Sequence, residues 1–580
     1  MSTRQPVLLV AVLLAAFLAL GAAYVLIVPL WESPDEPSTV STALTVATMR
    51  RVPTPHTQPL FPGVTLNAKL HPPAYFALMG LVFSPVRHLQ PEIEANPFGG
   101  VSAEVARYQH AGGIPADRFR GASFLRGVRG ISVLLGALTL IVVWRTARLL
   151  MPGSILGPFL GVAVFGLTPT FIFSHAAIDP LPLAVLAATL AAHRMVRLYL
   201  ADSVTPQGMR MLGILLIAGF AVRSTLVFLY LPAAFLVWRE KGHRLQMAGQ
   251  IAAPAVLGMA WMLVLSPGPS LLALRHLGGQ LVKVDRPFLS RAGLTTLALH
   301  SKNSFWARFG WADLYAPARL IDVFDLISLL IAAGLILVLV KRKVPPGSFF
   351  VAAAAGIGVL GYVKGNLAQF DPQGRYLGLL IGLYAPLGGI GLAMLLSPVR
   401  RQRIRIVIGA TVLVVMIGTN VYALAAVIRP TYAARLYPGL GVDAYQDQGT
   451  MVYGGPSTGQ SFIARKSGLT RIELYFTPAR HSPRRVLEFQ LLESPLIPEP
   501  LAIARVPYPA PGDRPHTGFT FAPQWDSENR SYYVRVAVVP EGAPVSTWFT
   551  LEDRYVGGSR YADDTPVPGD LRFTAYYELP

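Results

Sequence analysis

The stretch PVLLVAVLLAAFLALGAAYVLIVPLWESPDEP, residues 6–37, joins a long apolar run to two adjacent carboxylates. Its apolar part, residues 6–30, is long enough to cross a membrane as one helix. No small-residue cleavage pattern follows it, so the run predicts a retained membrane span and not a cleaved signal peptide. Asp35 and Glu36 are flanked by prolines, which stiffen the backbone and interrupt helices. We therefore expect a sharp corner that holds both carboxylates at the membrane surface.

The composition of the whole chain is that of a polytopic membrane protein. Of its 580 residues, 53% are hydrophobic and 14% are charged. This is more apolar surface than a soluble protein could cover with polar residues. Cysteine is absent, which excludes disulfides, thiolate nucleophiles and cysteine metal sites. The net charge is +19. Because the basic residues lie in short clusters between apolar runs, they indicate membrane orientation and affinity for lipid phosphates, not nucleic-acid binding.

Eleven spans are predicted with a window of about 20 residues. They lie near residues 6–30, 130–151, 155–174, 180–199, 210–223, 225–238, 247–266, 321–340, 348–364, 376–397 and 405–427. Basic clusters fall in alternate loops, at Arg145 and Arg148, Arg210, residues 239–244, 341–343 and 400–405. The positive-inside rule then places these loops and the N-terminus in the cytoplasm, and it places the first long loop and the C-terminal region outside.

The chain divides into two predicted domains. Residues 1–430 are predicted to form the transmembrane domain, whose large outer loop 31–129 contains two helix candidates, a surface helix at 37–49 and an interfacial or re-entrant helix at 71–83. Residues 440–580 lack further spans and contain short segments of alternating polarity separated by turn-rich joins, which predict an extracytoplasmic antiparallel β-sandwich. The alternating segments are residues 460–464, 469–476, 485–492, 531–538 and 571–577.

The acidic pair has two interpretations. An Asp or Glu at a membrane surface is a suitable general base for removing a proton from an attacking hydroxyl. An acidic pair after a span is also a common solvated helix end, and the sequence alone does not choose between Asp35 and Glu36.

Three further motifs carry polar residues on the outer side. Before the helix at 71–83, Lys69 and His71 are candidates for contacting a phosphate or a sugar hydroxyl. In SFWARFGW, residues 304–311, Trp306 is either a membrane-interface residue or a surface for sugar stacking, and Arg308 is a candidate phosphate ligand.

In QGRY, residues 373–376, Arg375 either extends to lipid phosphates or stabilises a phosphate leaving group, with Tyr376 beside it. Arg223 has the same two interpretations, and Asp179 is either a helix cap or part of the pocket. The sequence contains no Walker loop, dinucleotide fingerprint, HExxH or nucleophile elbow.

Taken in order, PDEP (34–37), HPPAYF (71–76), RGVRGISVLLGA (126–137), SFWARFGW and QGRYL (373–377) resemble a family of bacterial multi-pass proteins of the GT-C glycosyltransferase superfamily. The resemblance covers about residues 6–430. It implies a GT-C fold with an outward-facing active site, a polyprenyl-phosphate sugar as donor, and Asp35 or Glu36 as base. Some members need a divalent cation such as Mg²⁺ or Mn²⁺, and here Asp35 and Glu36 would be its ligands.

The expected function is therefore transfer of a sugar from a polyprenyl-phosphate donor to a cell-envelope glycan or lipid-linked acceptor, at the outer face of the bacterial cytoplasmic membrane. The C-terminal domain resembles the sugar-binding sandwiches appended to arabinosyltransferases. Its candidate sugar-stacking residues are Trp525, Trp548, Tyr555 and Tyr561. Two alternatives remain, a polysaccharide polymerase or ligase that uses a lipid-linked oligosaccharide, and a non-enzymatic transporter of lipid-linked glycans.

Overall fold

The computed structural model of the chain describes most of its length, and its residues form two compact units that divide between Pro430 and Thr431. The described residues are 4–53, 57, 72–89, 121–282, 290–311, 314–433, 436–441, 450–453, 457–476, 486–509, 516–539, 545–550, 555 and 557–578. The first unit is helical and the second consists of antiparallel β-sheets.

Seventeen α-helices are described in the first unit and at its end. They are α1 Arg4–Ile27, α2 Glu36–Met49, α3 Ala74–Phe83, α4 Ala122–Leu150, α5 Leu156–Gly166, α6 Pro169–His175, α7 Leu181–Leu200, α8 Pro206–Val222, α9 Tyr230–Arg239, α10 Arg244–Leu265, α11 Pro267–Val282, α12 Arg291–Trp306, α13 Ala318–Val340, α14 Ser348–Ala368, α15 Ile381–Leu395, α16 Gln402–Ala423 and α17 Arg429–Ala433. Two 3₁₀ segments, Ser224–Leu229 and Gly374–Leu380, precede α9 and α15. A short hairpin of β1 (Arg308–Phe309) and β2 (Leu314–Tyr315) follows α12.

Eight of the described helical segments are long and apolar enough to cross a membrane. A ninth candidate is the pair α5 and α6, which is bent by 66° at Leu167 and Thr168. Two other predicted spans correspond to shorter apolar helices, Pro206–Val222 and Ser224–Arg239. The prediction of an α-helical polytopic membrane protein is confirmed, and each of the eleven predicted apolar runs coincides with a helical segment.

The corner predicted after the first span is present. Helix α1 ends at Ile27 and α2 begins at Glu36. The helix expected at residues 37–49 forms, but its residues from Glu36 to Ala47 are buried, so its expected surface location was wrong. Helix α3 begins after Pro73 and packs against α2, where Gly80 lies beside Val46.

The second unit is a β-sandwich, as predicted. Its strands are β3 Leu436–Gly441, β4 Thr450–Tyr453, β5 Ser457–Ile463, β6 Leu469–Tyr475, β7 Val486–Leu492, β8 Ala502–Pro507, β9 His516–Gln524, β10 Ser531–Val539, β11 Val545–Thr550, β12 Arg560–Ala562, β13 Thr565–Val567, β14 Asp570–Leu571 and β15 Phe573–Glu578. They pair antiparallel in the orders β13-β12-β5-β10-β7-β8, β3-β15-β6-β9 and β14-β11-β4. Phe462 and Phe489 of the first sheet share one buried core with Ile472 and Phe573 of the second, so the two larger sheets pack face to face.

Candidate active site at the first membrane corner

Glu36 is fully buried and forms an ion pair with Arg129 of α4, which is also fully buried. Arg129 donates to both carboxylate oxygens, through Nε at 2.7 Å and Nη2 at 2.5 Å. The same oxygens accept the backbone N–H groups of Trp31 at 2.8 Å and Ile178 at 3.1 Å. Because every oxygen has two donors, the charge of Glu36 is fully compensated. We call this group, with the Val28 carbonyl that Arg129 also binds, the closed cluster.

Asp35, one residue earlier, has a different environment. Its backbone lies in the left-handed region, at φ 63° and ψ 0°, directly before α2. Strained backbone of this kind persists where surrounding structure imposes it, often at functional sites. The side chain is 43% exposed, and Oδ2 lies 3.5 Å from Nη2 of Arg375. Asp35 therefore presents a carboxylate that is accessible and faces a guanidinium.

Arg375 is held by the contact between the two later motifs. Its 3₁₀ segment packs so closely on α12 that a Cβ atom at Gly374 would lie 2.1 Å from the Ser301 carbonyl oxygen. Ser304 fixes the approach, since its hydroxyl donates to the His300 carbonyl of its own helix at 2.6 Å while its Oγ accepts the Gly374 N–H at 2.6 Å. The SFWARFGW and QGRY motifs thus form one unit of structure that positions Arg375.

The Arg375 side chain is only 10% exposed, yet its buried Nε has no hydrogen-bond partner among the described residues. Its Nη2 donates to the Tyr376 hydroxyl at 3.1 Å, and that hydroxyl donates to Asp371 at 3.2 Å. The guanidinium of Arg223, at the end of α8, lies over the Tyr376 ring, 4.7 Å from its centroid. A buried donor without an acceptor is costly, so Arg375 retains capacity to bind an anion.

Asp179 completes the group on the side of α7. It is 6% exposed, and its Oδ1 accepts the Leu181 N–H at 2.6 Å. Burial raises the pKa of Asp179, while the nearby charges of Arg375 and Arg223 oppose this rise. Both predicted roles of Asp179, helix cap and member of the pocket, are therefore compatible with its position. We call Asp35, Asp179, Arg223, Arg375 and Tyr376 the open cluster.

A small cavity adjoins Arg375 inside the helical unit. Its walls include Thr170, Ser174 and His175 as well as the aromatic rings of Phe305 and Tyr384. Nδ1 of His175 lies 2.8 Å from the Phe171 carbonyl, whereas its buried Nε2 has no partner in the described part of the chain. His175 is therefore a buried residue of the cavity wall with one unpaired ring nitrogen among the described residues.

The other predicted site residues lie elsewhere. Trp306 is 5% exposed and stacks on Phe324, with ring centroids 4.8 Å apart, so its ring is part of the helix packing. Arg308 donates to the Tyr315 hydroxyl at 2.7 Å and lies 3.3 Å from His300, apart from the open cluster. Lys69 and His71 lie outside the described residues.

Four aromatic residues of the β-sandwich were candidates for stacking on sugars. Trp525 is 52% exposed, whereas Tyr555 belongs to the buried core. Trp548 and Tyr561 are half-buried. Trp525 is thus the most accessible of the four.

Sequence reasoning did not identify Arg129 as the partner of Glu36. The available signal was the second arginine of RGVRGISVLLGA, which precedes a long apolar run of the same helix, because arginines within membrane helices usually have a partner inside the protein. Ser304 and Gly374 lie within recognised motifs, but their contact depends on the packing of α12 against the 3₁₀ segment, which no local pattern encodes.

A metal site between Asp35 and Glu36 requires both carboxylates to face one ion. The four donors around Glu36 occupy its oxygens, and within the described residues no group of three or more His, Asp or Glu side chains is placed to hold an ion. The residues therefore do not fit a cation shared by the pair.

The fold and the open cluster together define the class of protein. It is a polytopic membrane protein with a polar site beside its first span and an additional β-sandwich. No protein-family model matches the chain, and no curated protein matches it significantly in sequence. Among solved structures it is similar to ArnT from Cupriavidus metallidurans bound to undecaprenyl phosphate, with 12% identity over 75% of this chain and 74% of ArnT and a TM-score of 0.41. It is also similar to the arabinosyltransferase EmbB from Mycobacterium smegmatis, with 11% identity over 98% of this chain and 64% of EmbB and a TM-score of 0.40. Both belong to the GT-C superfamily that the sequence motifs resemble.

Proposed function

We propose that the chain is a GT-C-type glycosyltransferase that moves a sugar from a polyprenyl-phosphate donor to a hydroxyl of a cell-envelope glycan or lipid-linked acceptor. The observation that carries the proposal is the open cluster. An accessible carboxylate, Asp35, faces a buried guanidinium, Arg375, that has an unused donor. A transferase of this type needs a base for the acceptor and a cation for the phosphate leaving group, and the open cluster supplies both.

In the proposed reaction, Asp35 accepts the proton of the acceptor hydroxyl as that oxygen attacks the anomeric carbon. The new bond joins the acceptor oxygen to the anomeric carbon. The bond from that carbon to the phosphate oxygen breaks, and its electron pair leaves with the polyprenyl phosphate. Asp35 is favoured over Glu36 as the base because both oxygens of Glu36 are engaged by Arg129 and two backbone amides.

Arg375 would bind the donor phosphate and stabilise the charge that develops on it. Arg223, which shares the Tyr376 ring with Arg375, would add a second positive charge. Their position at the ends of apolar helices suits a substrate whose lipid tail stays in the bilayer. The basic clusters of alternate loops support an orientation with the N-terminus inside and this site on the outer side of the cytoplasmic membrane.

We also propose that the β-sandwich contributes to acceptor binding. Its exposed Trp525 offers a flat apolar ring on which a sugar can stack. Trp525→Ala should then raise the KM for a glycan acceptor without changing kcat, and an unchanged KM would exclude this role.

The test is a turnover assay with the full chain in lipid nanodiscs. Labelled polyprenyl-phosphate sugars and lipid-linked oligosaccharides are supplied with cell-envelope glycans, and release of polyprenyl phosphate is measured. We expect wild-type protein and an Asp202→Asn control, which changes an exposed acid at the other end of α7, to turn over a single-sugar donor. Donors that all stay intact would contradict the proposal, and use of oligosaccharide donors alone would support a polymerase or ligase.

A further inference from the structure

A second group of charges lies at the opposite ends of α4 and α7, far along these helices from the open cluster. Arg145 of α4 and Arg194 and Arg197 of α7 all lie within electrostatic range of the His193 ring. The two helices are joined there by Thr146, whose Oγ1 is 3.0 Å from Nδ1 of His193. Arg145 adjoins Thr146 in the chain, and Arg194 and Arg197 lie about one turn or less after His193, so three arginines lie around the point where the two helices meet.

None of these three arginines forms an ion pair with an acidic side chain among the described residues. Arg194 is half-buried and donates to the neutral Gly208 carbonyl at 3.2 Å. Arg145 and Arg197 are exposed. Like charges that lie close together at the edge of a low-dielectric region repel one another, and a bound anion would remove this cost.

Two neighbouring arginines, Arg148 and Arg239, have structural roles because they donate to backbone carbonyls. Arg148 donates to the Ser154 carbonyl at 2.7 Å, and Arg239 donates to the Tyr199 carbonyl at 2.5 Å. Both satisfy backbone oxygens near helix ends, where cations are favourable. The positive-inside rule requires basic residues near these ends, but it does not require three of them to lie around one contact between two helices.

The location of the three arginines near helix ends indicates the kind of anion that they would bind. Helix α4 ends at Leu150 and α7 at Leu200. Both helices are long and apolar enough to cross a membrane, and the three arginines lie within about two turns of their ends. Residues near the end of a membrane span lie close to the lipid headgroups, so a lipid phosphate would be present there at high local concentration.

We propose that Arg145, Arg194 and Arg197 form a binding site for the phosphate headgroup of an anionic membrane lipid. The lipid reaches the exposed Arg145 and Arg197 from the bilayer, and Arg194 supplies the partly buried charge. The site is independent of the proposed sugar transfer, because it lies at the other ends of the membrane helices.

The test compares the full chain in nanodiscs of phosphatidylcholine alone and with added phosphatidylglycerol. We expect phosphatidylglycerol to raise the thermal midpoint of the wild type by at least about 2 °C and native mass spectrometry to show a retained phosphatidylglycerol. Arg145→Gln with Arg197→Gln should abolish both effects, and Arg145→Lys with Arg197→Lys should retain most of the shift. The control Lys341→Gln with Arg342→Gln, an exposed basic pair after α13, should behave as wild type.

Two results would overturn the proposal. An equal phosphatidylglycerol shift in the wild type and in Arg145→Gln with Arg197→Gln would show that the lipid acts elsewhere. A full shift produced by inorganic phosphate in phosphatidylcholine nanodiscs would show that the site takes a soluble anion and not a lipid headgroup.

Discussion

The closed cluster around Glu36 and the open cluster around Asp35 begin one residue apart and have opposite properties. In the closed cluster a buried carboxylate meets a buried guanidinium and two backbone amides, and no oxygen is available to a ligand. In the open cluster a carboxylate that is 43% exposed faces a guanidinium whose Nε has no partner among the described residues. The difference teaches that adjacent acids in one motif can have separate roles, since one carboxylate is buried and fixes the backbone while the other is accessible to a ligand.

The closed cluster also determines where the open cluster lies. Glu36 accepts the N–H of Ile178, the residue directly before Asp179. Arg129 binds carbonyls at the end of α1 as well as Glu36 at the start of α2. The pair therefore ties together the first span, the corner with Asp35 and the segment with Asp179. If the division of roles is correct, variants of the two clusters should fail in different ways.

The largest effect is expected from Arg129→Ala. It leaves the Glu36 carboxylate buried without its counter-charge, which typically costs about 3–5 kcal/mol. We expect little folded protein, measured as the fraction that elutes monodisperse in detergent and as the thermal midpoint. Arg291→Ala, which removes an exposed arginine of α12, should have no such effect. Near wild-type stability of Arg129→Ala would show that the closed cluster is not a structural tie.

The two adjacent acids should respond to substitution in different ways. Asp35→Asn should lower turnover by roughly 10²–10⁴-fold, because the general base is lost, while the thermal midpoint stays near that of the wild type. Glu36→Gln should lower the thermal midpoint instead, with activity per folded molecule largely kept. Turnover and thermal midpoint are measured on the same nanodisc samples. The reverse pattern would make Glu36 the base and Asp35 the structural residue.

A smaller effect is expected from Gly374→Ala. The added methyl group would meet the Ser301 carbonyl oxygen and the Phe305 N–H, and overpacking of this kind costs about 1–3 kcal/mol. The 3₁₀ segment must move to relieve this clash. Arg375 would then shift, and the KM for the donor should rise. The matched control is Gly365→Ala on α14, where a Cβ meets no atom within 4 Å. Equal KM values for both variants would exclude a positioning role for this contact.

The sequence predicts the fold well because its main signals are local. Apolar runs of span length predict the helices, alternating polarity predicts the β-sandwich, and the prolines around Asp35 predict the corner. The candidate site was predicted only in part. The sequence named Asp35, Arg375 and Arg223 as separate candidates, and the structure brings them together around Tyr376. The separate roles of Asp35 and Glu36 depend on Arg129, which is 93 residues away from Glu36 in sequence. Such a pairing is set by tertiary packing, which local patterns do not contain.

The smallest effect is expected from Asp179→Asn. Burial raises the pKa of Asp179 above its usual 3.8, so the fold favours the neutral carboxyl. Between pH 3.8 and the raised pKa, the unfolded chain releases this proton while the folded protein keeps it, and wild-type stability therefore falls as the pH rises through this window. Asp179→Asn has no carboxyl group at this position and therefore does not lose stability in this way. Its thermal midpoint should match that of the wild type near pH 4 and exceed it by no more than about 2 °C near pH 8, whereas Asp202→Asn should show no pH-dependent difference. If Asp179→Asn were instead less stable, and most so near pH 8, Asp179 would be an ionised partner of Arg375 and Arg223, and the open cluster would hold a structural ion pair of its own.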